Sequence, residues 1–312
     1  MNLLASMRYL VALEEHRHFG RAAQACHITQ PALSNALRAL EDEFGAVIVR
    51  RGRTYVGLTA EGETVLAAAR RMLHEHKLLE QELASTRDRP QGQLRLAAVP
   101  TAMPILSGFA ALLRASHPGI VPVVLSMSSH ELETGLEQLA LDLALGYTER
   151  MSLPGVRLTA WPQYDEHYFF VRRRGDTAGF RIGEPLDWAL AAREPLCLLT
   201  PDMHNRAIIH QAFVDAGRPV QPAIETNSVL TLVQAIGPGQ VSGVLPGAMV
   251  ATLRSDPGLL ARPLQSPHVT TPIGFMAPAG VRASRALEAA LALLQTPAWQ
   301  AYVAAHSGRL TA

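Results

Sequence analysis

The periodicity of this chain changes once, and that change limits what it can fold into. From Asn2 to Leu83 apolar residues recur at spacings of three and four with little proline or glycine, which predicts an almost entirely helical segment. At residues 84–93, ASTRDRPQGQ, charge, Pro90 and Gly92 interrupt the pattern and mark a linker. Beyond it, short apolar runs bounded by turn residues (LRLAAV from Leu94, VPVVLSM from Val121, LDLALGY from Leu141, HYFFV from His167, PLCLLT from Pro195, VSGVLP from Val241) alternate with helical stretches at 204–216, 228–236 and 283–295. Such alternation predicts βα units and a largely parallel sheet. A length of 312 residues allows about two domains, each with its own core.

Composition narrows the function classes. With 48% hydrophobic residues and a net charge of +1, the chain is not a disordered one. No apolar run reaches the roughly 18 residues of a membrane-spanning helix, and the N-terminal residues lack a basic leader, so a cytoplasmic protein without a membrane partner is expected. Cys26 and Cys197 are the only cysteines, which excludes a disulfide scaffold and any CxxC redox or zinc motif. Lys77 is the only lysine among 28 basic residues, so nearly every positive charge is a guanidinium that can fork onto phosphate or carboxylate. Residues 1–60 set seven arginines against five acids, yet Arg50, Arg51 and Arg53 lie in an acid-free stretch from Gly45 to Ala60, a local basic patch that the whole-chain sum hides.

The stretch FGRAAQACHITQPALSNALRALEDEF, residues 19–44, reads as a short helix, a turn at His27-Ile28-Thr29 and a second helix. Thr29 is placed to cap the second helix, and Pro31 falls in its first turn, where a missing N–H costs little. Leu33, Leu37, Leu40 and Phe44 form an inward stripe; Gln30, Ser34 and Arg38 form a polar one, with Asn35 beside it. These short or forked polar groups can reach base edges and phosphates, as a recognition helix requires. Periodicity alone also admits a solvated amphipathic helix, with Arg38 paired to Asp42 at i, i+4.

From Ala5 to Gly62 the chain closely resembles the DNA-binding module of LysR-type transcriptional regulators: MRYLVALEE, then HFGRAAQACHITQPALSNALRALEDEFG, then VRRGRTYVGLTAEG, in the family's order and spacing. His18 stands where the family usually has serine, and Val49 where it usually has phenylalanine. The resemblance implies that Thr29, Gln30, Pro31, Ser34, Asn35 and Arg38 face the major groove. It also implies that Arg50, Arg51 and Arg53 hold the backbone or minor groove from a wing. Phosphate contacts would then supply affinity and groove contacts the sequence preference.

Val65, Ala69, Met72, His76, Leu79 and Leu83 lie at spacings of four, three, four, three and four, a heptad seam. The seam fits either a helix packed on its own domain or, as the resemblance implies, one that pairs two subunits on a dyad-symmetric site. His74 and His76, two apart on a helix, point in different directions, so no metal site is expected.

From Gly92 onward the layout resembles the family's two-lobed effector domain, with the fold of type 2 periplasmic binding proteins. Hydroxyl residues follow strands at Thr101, at Ser128 and Ser129, at Thr200-Pro201 and at Asn227-Ser228, where helix N-termini offer free N–H groups to an anion. Each of these residues could instead only cap its own helix. No GxSxG elbow, phosphate-binding loop or HExxH occurs, so neither catalytic residues nor a cofactor are expected. Cys197, within an apolar strand, reads as an inert buried thiol.

The expected architecture is an all-α winged helix-turn-helix at 1–62, a long linker helix and hinge at 63–91, and a two-lobed α/β periplasmic-binding-protein-like effector domain at 92–305, with lobe I about 92–162 and 268–305 and lobe II about 163–267. The expected function is that of a LysR-type regulator: it binds promoter DNA as a homodimer or homotetramer, answers to a small anionic metabolite between the lobes and communicates with RNA polymerase. The alternative is a solute-binding or catalytic α/β protein with an accessory helical domain.

Overall fold

A computed structural model of the chain describes residues 2–52, 54–85, 89–152, 157–174 and 179–308. It divides into two compact units, 1–86 and 87–312.

The first unit holds α1 (Leu3–His16), α2 (Phe19–Ala25), α3 (Gln30–Phe44), a hairpin of β1 (Val49–Arg51) and β2 (Tyr55–Leu58), and α4 (Ala60–Ala84). Three caps set the geometry of the helix pair. His18 Nδ1 accepts from the N–H groups of Gly20 and Arg21, so the imidazole does the work of the family's usual serine. Thr29 Oγ1 accepts from Ala32, and Gly45 ends α3 with φ 60°, the left-handed conformation glycine adopts without strain. Leu33, Leu37 and Leu40 are buried with Leu10, Leu13, Ala22 and Ala23. Phe44 departs from the predicted inward stripe: it is 45% exposed, because α3 runs past the small core before it ends.

Glu41 fixes where the hairpin leaves the helix. Its Oε1 accepts from the N–H groups of both Ile48 and Val49, at 3.0 Å each. Across the hairpin, the Tyr55 hydroxyl donates to Glu14 on α1, and burial together with that carboxylate holds the phenol well above its usual range. Thr59 then caps α4 through the N–H of Gly62, where a Cβ would strike the Ile48 carbonyl. Helix α3 and the wing are thus one rigid body.

The second unit contains β3 (Gly92–Ala98), α5 (Met103–Ser116), β4 (Ile120–Ser126), α6 (Ser129–Glu137), β5 (Leu143–Tyr147), β6 (Leu158–Arg173), β7 (Arg181–Ile182), β8 (Leu186–Asp187), α7 (Trp188–Ala191), β9 (Leu196–Leu199), α8 (His204–Asp215), β10 (Ile224–Thr226), α9 (Val229–Ile236), β11 (Ser242–Pro246), α10 (Gly247–Thr252), β12 (Leu259–Gln265), β13 (Thr270–Pro278), α11 (Arg285–Leu293) and α12 (Pro297–His306). The sheet is mixed, not largely parallel. Strands β3, β4 and β5 pair in parallel, as do β9, β10 and β11, but β13 runs antiparallel to β5 and β6, and β6 antiparallel to β11 and β12. The reason is topological: the chain crosses between lobes on β6 and returns on β13, so the two crossing strands must oppose each other.

Each lobe packs its own core. Lobe I buries Leu94, Leu96, Phe109, Phe275 and Trp299, and lobe II covers the two faces of its sheet with clusters around Phe169 and Leu245 and around Trp188 and Phe213. Replacing Glu41 by alanine strands two partly buried N–H groups, a cost on the order of 2 kcal/mol. Unfolding of full-length Glu41→Ala followed by calorimetry should show a lowered transition for the N-terminal unit and an unchanged one for the α/β unit; equal shifts in both would contradict this assignment.

Candidate nucleic-acid interface and effector cleft

On α3 the inward leucines leave the opposite face to solvent. Gln30, Pro31, Asn35 and Arg38 are exposed and Ser34 is half-buried. Arg38 makes no ion pair with Asp42, and among the described residues no side chain engages Gln30, Asn35 or Arg38. The Thr29 hydroxyl is committed to its cap. Arg50 is exposed on β1, with Gly57 opposite it in the ladder. The side chain of Arg51 and all of Arg53 lie outside the described residues. A rigid helix therefore presents two forked or amide side chains and a guanidinium that no intramolecular bond restrains.

On α4 the seam residues differ in exposure. Ala69 is buried and Val65 and His76 are half-buried, whereas Met72, Leu79 and Leu83 are 44%, 53% and 79% exposed. Their spacings of seven and four keep them on one stripe, an apolar surface of the kind that pairs helices.

In the second unit a cavity of about 570 Å³ opens where the lobes meet, lined by Pro100, Met103, Pro104, Ser107 and Ser126 from lobe I and by Asn227, Ser228, Val229, Leu230, Met249 and Thr252 from lobe II. The ends of β3, β4 and β10 meet in it, and so do the first turns of α5 and α9. Among the described residues no arginine, lysine or histidine lines it; the first turns of α5 and α9 bring their positive dipole ends to it. Of the expected effector residues, Asn227 and Ser228 line this cavity, with the Ser228 hydroxyl also capping α9 at Thr231. Ser128 is tied into a capping box with Glu131. The hydroxyls of Ser129 and Thr200 are buried without a side-chain or backbone partner, and Pro201 is exposed. Thr101 is buried and bonds the Tyr147 hydroxyl at 3.3 Å.

That last contact opens onto a network the sequence reading missed. Glu166, wholly buried in the middle of β6, accepts at Oε2 from the hydroxyls of Tyr147 (3.2 Å) and Tyr168 (3.1 Å). Asn205 Nδ2, from the first turn of α8, donates to Tyr147 at 3.2 Å, and Tyr168 shares a 2.7 Å bond with Thr271 of β13. Burial pushes the Glu166 carboxyl up to about 7, against the two tyrosine hydroxyls, which lower it. The signal for it was an acid two residues ahead of the run YFFV, residues 168–171, all four of which are buried. Nearby, His204 packs edge-on against Tyr147 and bonds Glu149, while Arg150 forks onto Glu133.

Comparison with known proteins agrees with this layout. Residues 4–63 match the bacterial regulatory helix-turn-helix protein, lysR family, and residues 87–298 match the LysR substrate binding domain. The chain belongs to the LysR family of transcriptional regulators. The Escherichia coli K12 DNA-binding transcriptional dual regulator OxyR is 27% identical over 274 residues, 88% of each chain. Full-length OxyR from Pseudomonas aeruginosa, solved with a cysteine-to-aspartate substitution, superposes with a TM-score of 0.68 at 24% identity over 94% of this chain and 97% of that one. Full-length CbnR in complex with its target DNA superposes at 0.62 with 20% identity, over 94% and 98%. The LysR-type assignment supplies the function: an oligomeric DNA-binding regulator with a small-molecule-responsive C-terminal domain. Among the described residues no helix is long and apolar enough to cross a membrane, and no cluster of His, Cys, Asp or Glu could hold a metal ion.

Cys197 is the one cysteine of the α/β unit. It is buried in β9, and burial pushes its thiol up, which disfavours the reactive thiolate. Native protein should therefore leave Cys197 unmodified by a thiol reagent that labels it promptly in denaturant; rapid labelling of the folded chain would overturn this reading.

Proposed function

We propose that this LysR-type regulator reads its operator through Gln30, Ser34, Asn35 and Arg38 on α3, with Thr29 and Pro31 fixing the start of that helix and Arg50, Arg51 and Arg53 holding phosphates from the wing. The observation that carries the proposal is the exposed stripe of Gln30, Asn35 and Arg38, free of intramolecular bonds on a helix that Glu41 ties to the wing. A guanidinium left unpaired in this way gives up no internal contact when it takes a base edge or a phosphate. Loss of one bidentate base contact costs about 1–3 kcal/mol, and loss of a phosphate contact weakens all sequences alike.

The effector is a small carboxylate or similar anion with an apolar body. Asn227, Ser228, Ser107 and Ser126 offer hydrogen bonds, the first-turn amides of α5 and α9 offer positive ends, and Met103, Val229, Leu230 and Met249 offer apolar walls. Thr101, Ser128, Ser129, Thr200 and Pro201 follow the neighbouring strand ends and are the remaining candidates for effector contact. Ligand bound there favours one arrangement of the oligomer because its affinity for the two arrangements differs. The exposed stripe of Met72, Leu79 and Leu83 is where two α4 helices pair, and a homotetramer forms when two such dimers associate. The rearranged oligomer then alters contact with promoter DNA and RNA polymerase. Catalysis has no place in this scheme.

Three measurements test it. In an electrophoretic shift with the protein's own upstream region, Arg38→Ala should weaken binding about tenfold, and failure of both wild type and variant to shift that DNA at low salt would overturn the DNA-reading assignment. In sedimentation, Leu79→Glu should convert the dimer to monomer at micromolar concentration; an unchanged mass would exclude the stripe as the pairing surface. In a thermal-shift screen of small carboxylates, a ligand that raises the unfolding temperature of wild type should lose that effect with Asn227→Leu while operator binding persists.

A further inference from the structure

Among the described residues of the α/β unit Glu166 is the one acid that the fold hides completely, and its position is mechanical. It lies on the strand that carries the chain from lobe I to lobe II, directly opposite Thr271 on the returning strand. Through Tyr147 it reaches lobe I at β5 and at Thr101, and through the same hydroxyl it reaches lobe II at Asn205. We propose that Glu166 is a proton-operated latch between the lobes: protonated, it completes the network that holds α8 against lobe I, and ionised, it favours an arrangement in which water reaches the carboxylate.

Two geometric observations support the latch. Only Oε2 has partners; Oε1 is buried with no donor, so a carboxylate here would keep one oxygen bare. Among the described residues no cation compensates the charge. The groups facing Glu166 are Tyr147 from β5, Tyr164 and Tyr168 from β6, Thr271 from β13, and, one bond further, Thr101 and Asn205; the His204 imidazole and the charged Glu149, Arg150 and Glu133 lie beyond Tyr147. The neutral acid fits without bare charge. Its O–H donates to Tyr147, whose own hydroxyl then donates to Thr101 while still accepting from Asn205. When the proton leaves for solvent, Tyr147 must turn its hydrogen to the carboxylate, and Thr101 must donate instead of accept. Proton loss therefore reverses the bond that holds Thr101, between the cavity-lining Pro100 and Met103.

The sign follows from linkage. In the closed lobes the carboxyl titrates at about 7, and when hydrated it returns to its ordinary 4.5. The closed arrangement binds the proton more tightly, so its advantage is complete below about 4.5 and is lost as the pH rises through about 7. The inference concerns lobe closure alone and holds whatever ligand the cleft takes.

Hydrogen exchange of the full-length protein tests it, read at the first-turn amides of α8 and corrected for the intrinsic pH dependence of exchange. Wild type should open about tenfold more at pH 8 than at pH 6, Glu166→Gln should show no such rise, and amides of α3 serve as the control that should not move in either. A flat wild-type profile, or a Glu166→Gln profile that rises in parallel, overturns the latch. Should Glu166→Gln fail to fold, Tyr168→Phe decides: removal of that donor should displace the rise to higher pH, and a curve superimposable on wild type overturns the proposal.

Discussion

The α/β unit depends on the antiparallel ladder between β6 and β13. A chain that builds one lobe, leaves to build the second and returns to finish the first must cross the gap twice in opposite directions. Sixteen residues of β6 serve both lobes, pairing with β13 over the first part and with β11 and β12 over the second. This shared strand puts the ends of β3, β4 and β10 around one opening. It also places the residues at its midpoint equally close to both lobes, where a polar side chain cannot be buried without joining them. Glu166, Tyr168 and Thr271 are in that position.

Legibility in the sequence followed the range of the interactions. The helix-turn-helix was readable because its determinants are local: Thr29 before Pro31, leucines at four and three, Gly45 at the end. What local reading missed there is tertiary. Phe44 continues the apolar stripe yet protrudes, and Glu41, which looks like one of three adjacent solvated acids, instead anchors the wing through two amides. In the second unit the alternation announced β3, β4, β5, β9 and β11, but β6 was legible only from His167 onward, because WPQYDE breaks any period of two and contains a bulge opposite Ile273 and Gly274. Strand β13 carries Pro272 and Gly274, both poor strand formers, and is a strand only because β5 and β6 flank it.

The candidate sites divide the same way. Asn227 and Ser228 were legible because a hydroxyl at a helix start is a local signal, and the cavity they line is completed by Met103, Leu230 and Met249, which no pattern distinguishes from core. Ser128 carried the same signal as Ser228 but closes a capping box. A hydroxyl at a strand end thus marks a helix N-terminus reliably and lines the cavity only when the topology turns that end toward the other lobe. Glu166 carried no positive signal, since one acid in a strand is ordinarily on the wet face. The fold places it on the dry one.

Charge can now be assigned to roles. A net charge of +1 is too small to draw the whole protein to DNA, and the local arginine excess is modest. On the proposed reading, affinity comes from a few guanidiniums held at fixed spacing, multiplied by the number of subunits, because each phosphate contact adds its own increment of counterion release. Such a design has a consequence for regulation. When each subunit contributes little, affinity depends steeply on whether all subunits engage together, since the second contact is made at the effective concentration set by the first. A modest change in the spacing between paired helix-turn-helix units is then enough to forfeit half of the contacts, and no rearrangement inside α3 or its wing is required. In the proposed scheme the rigidity that Glu41 and Tyr55 impose on that unit lets spacing alone carry the response.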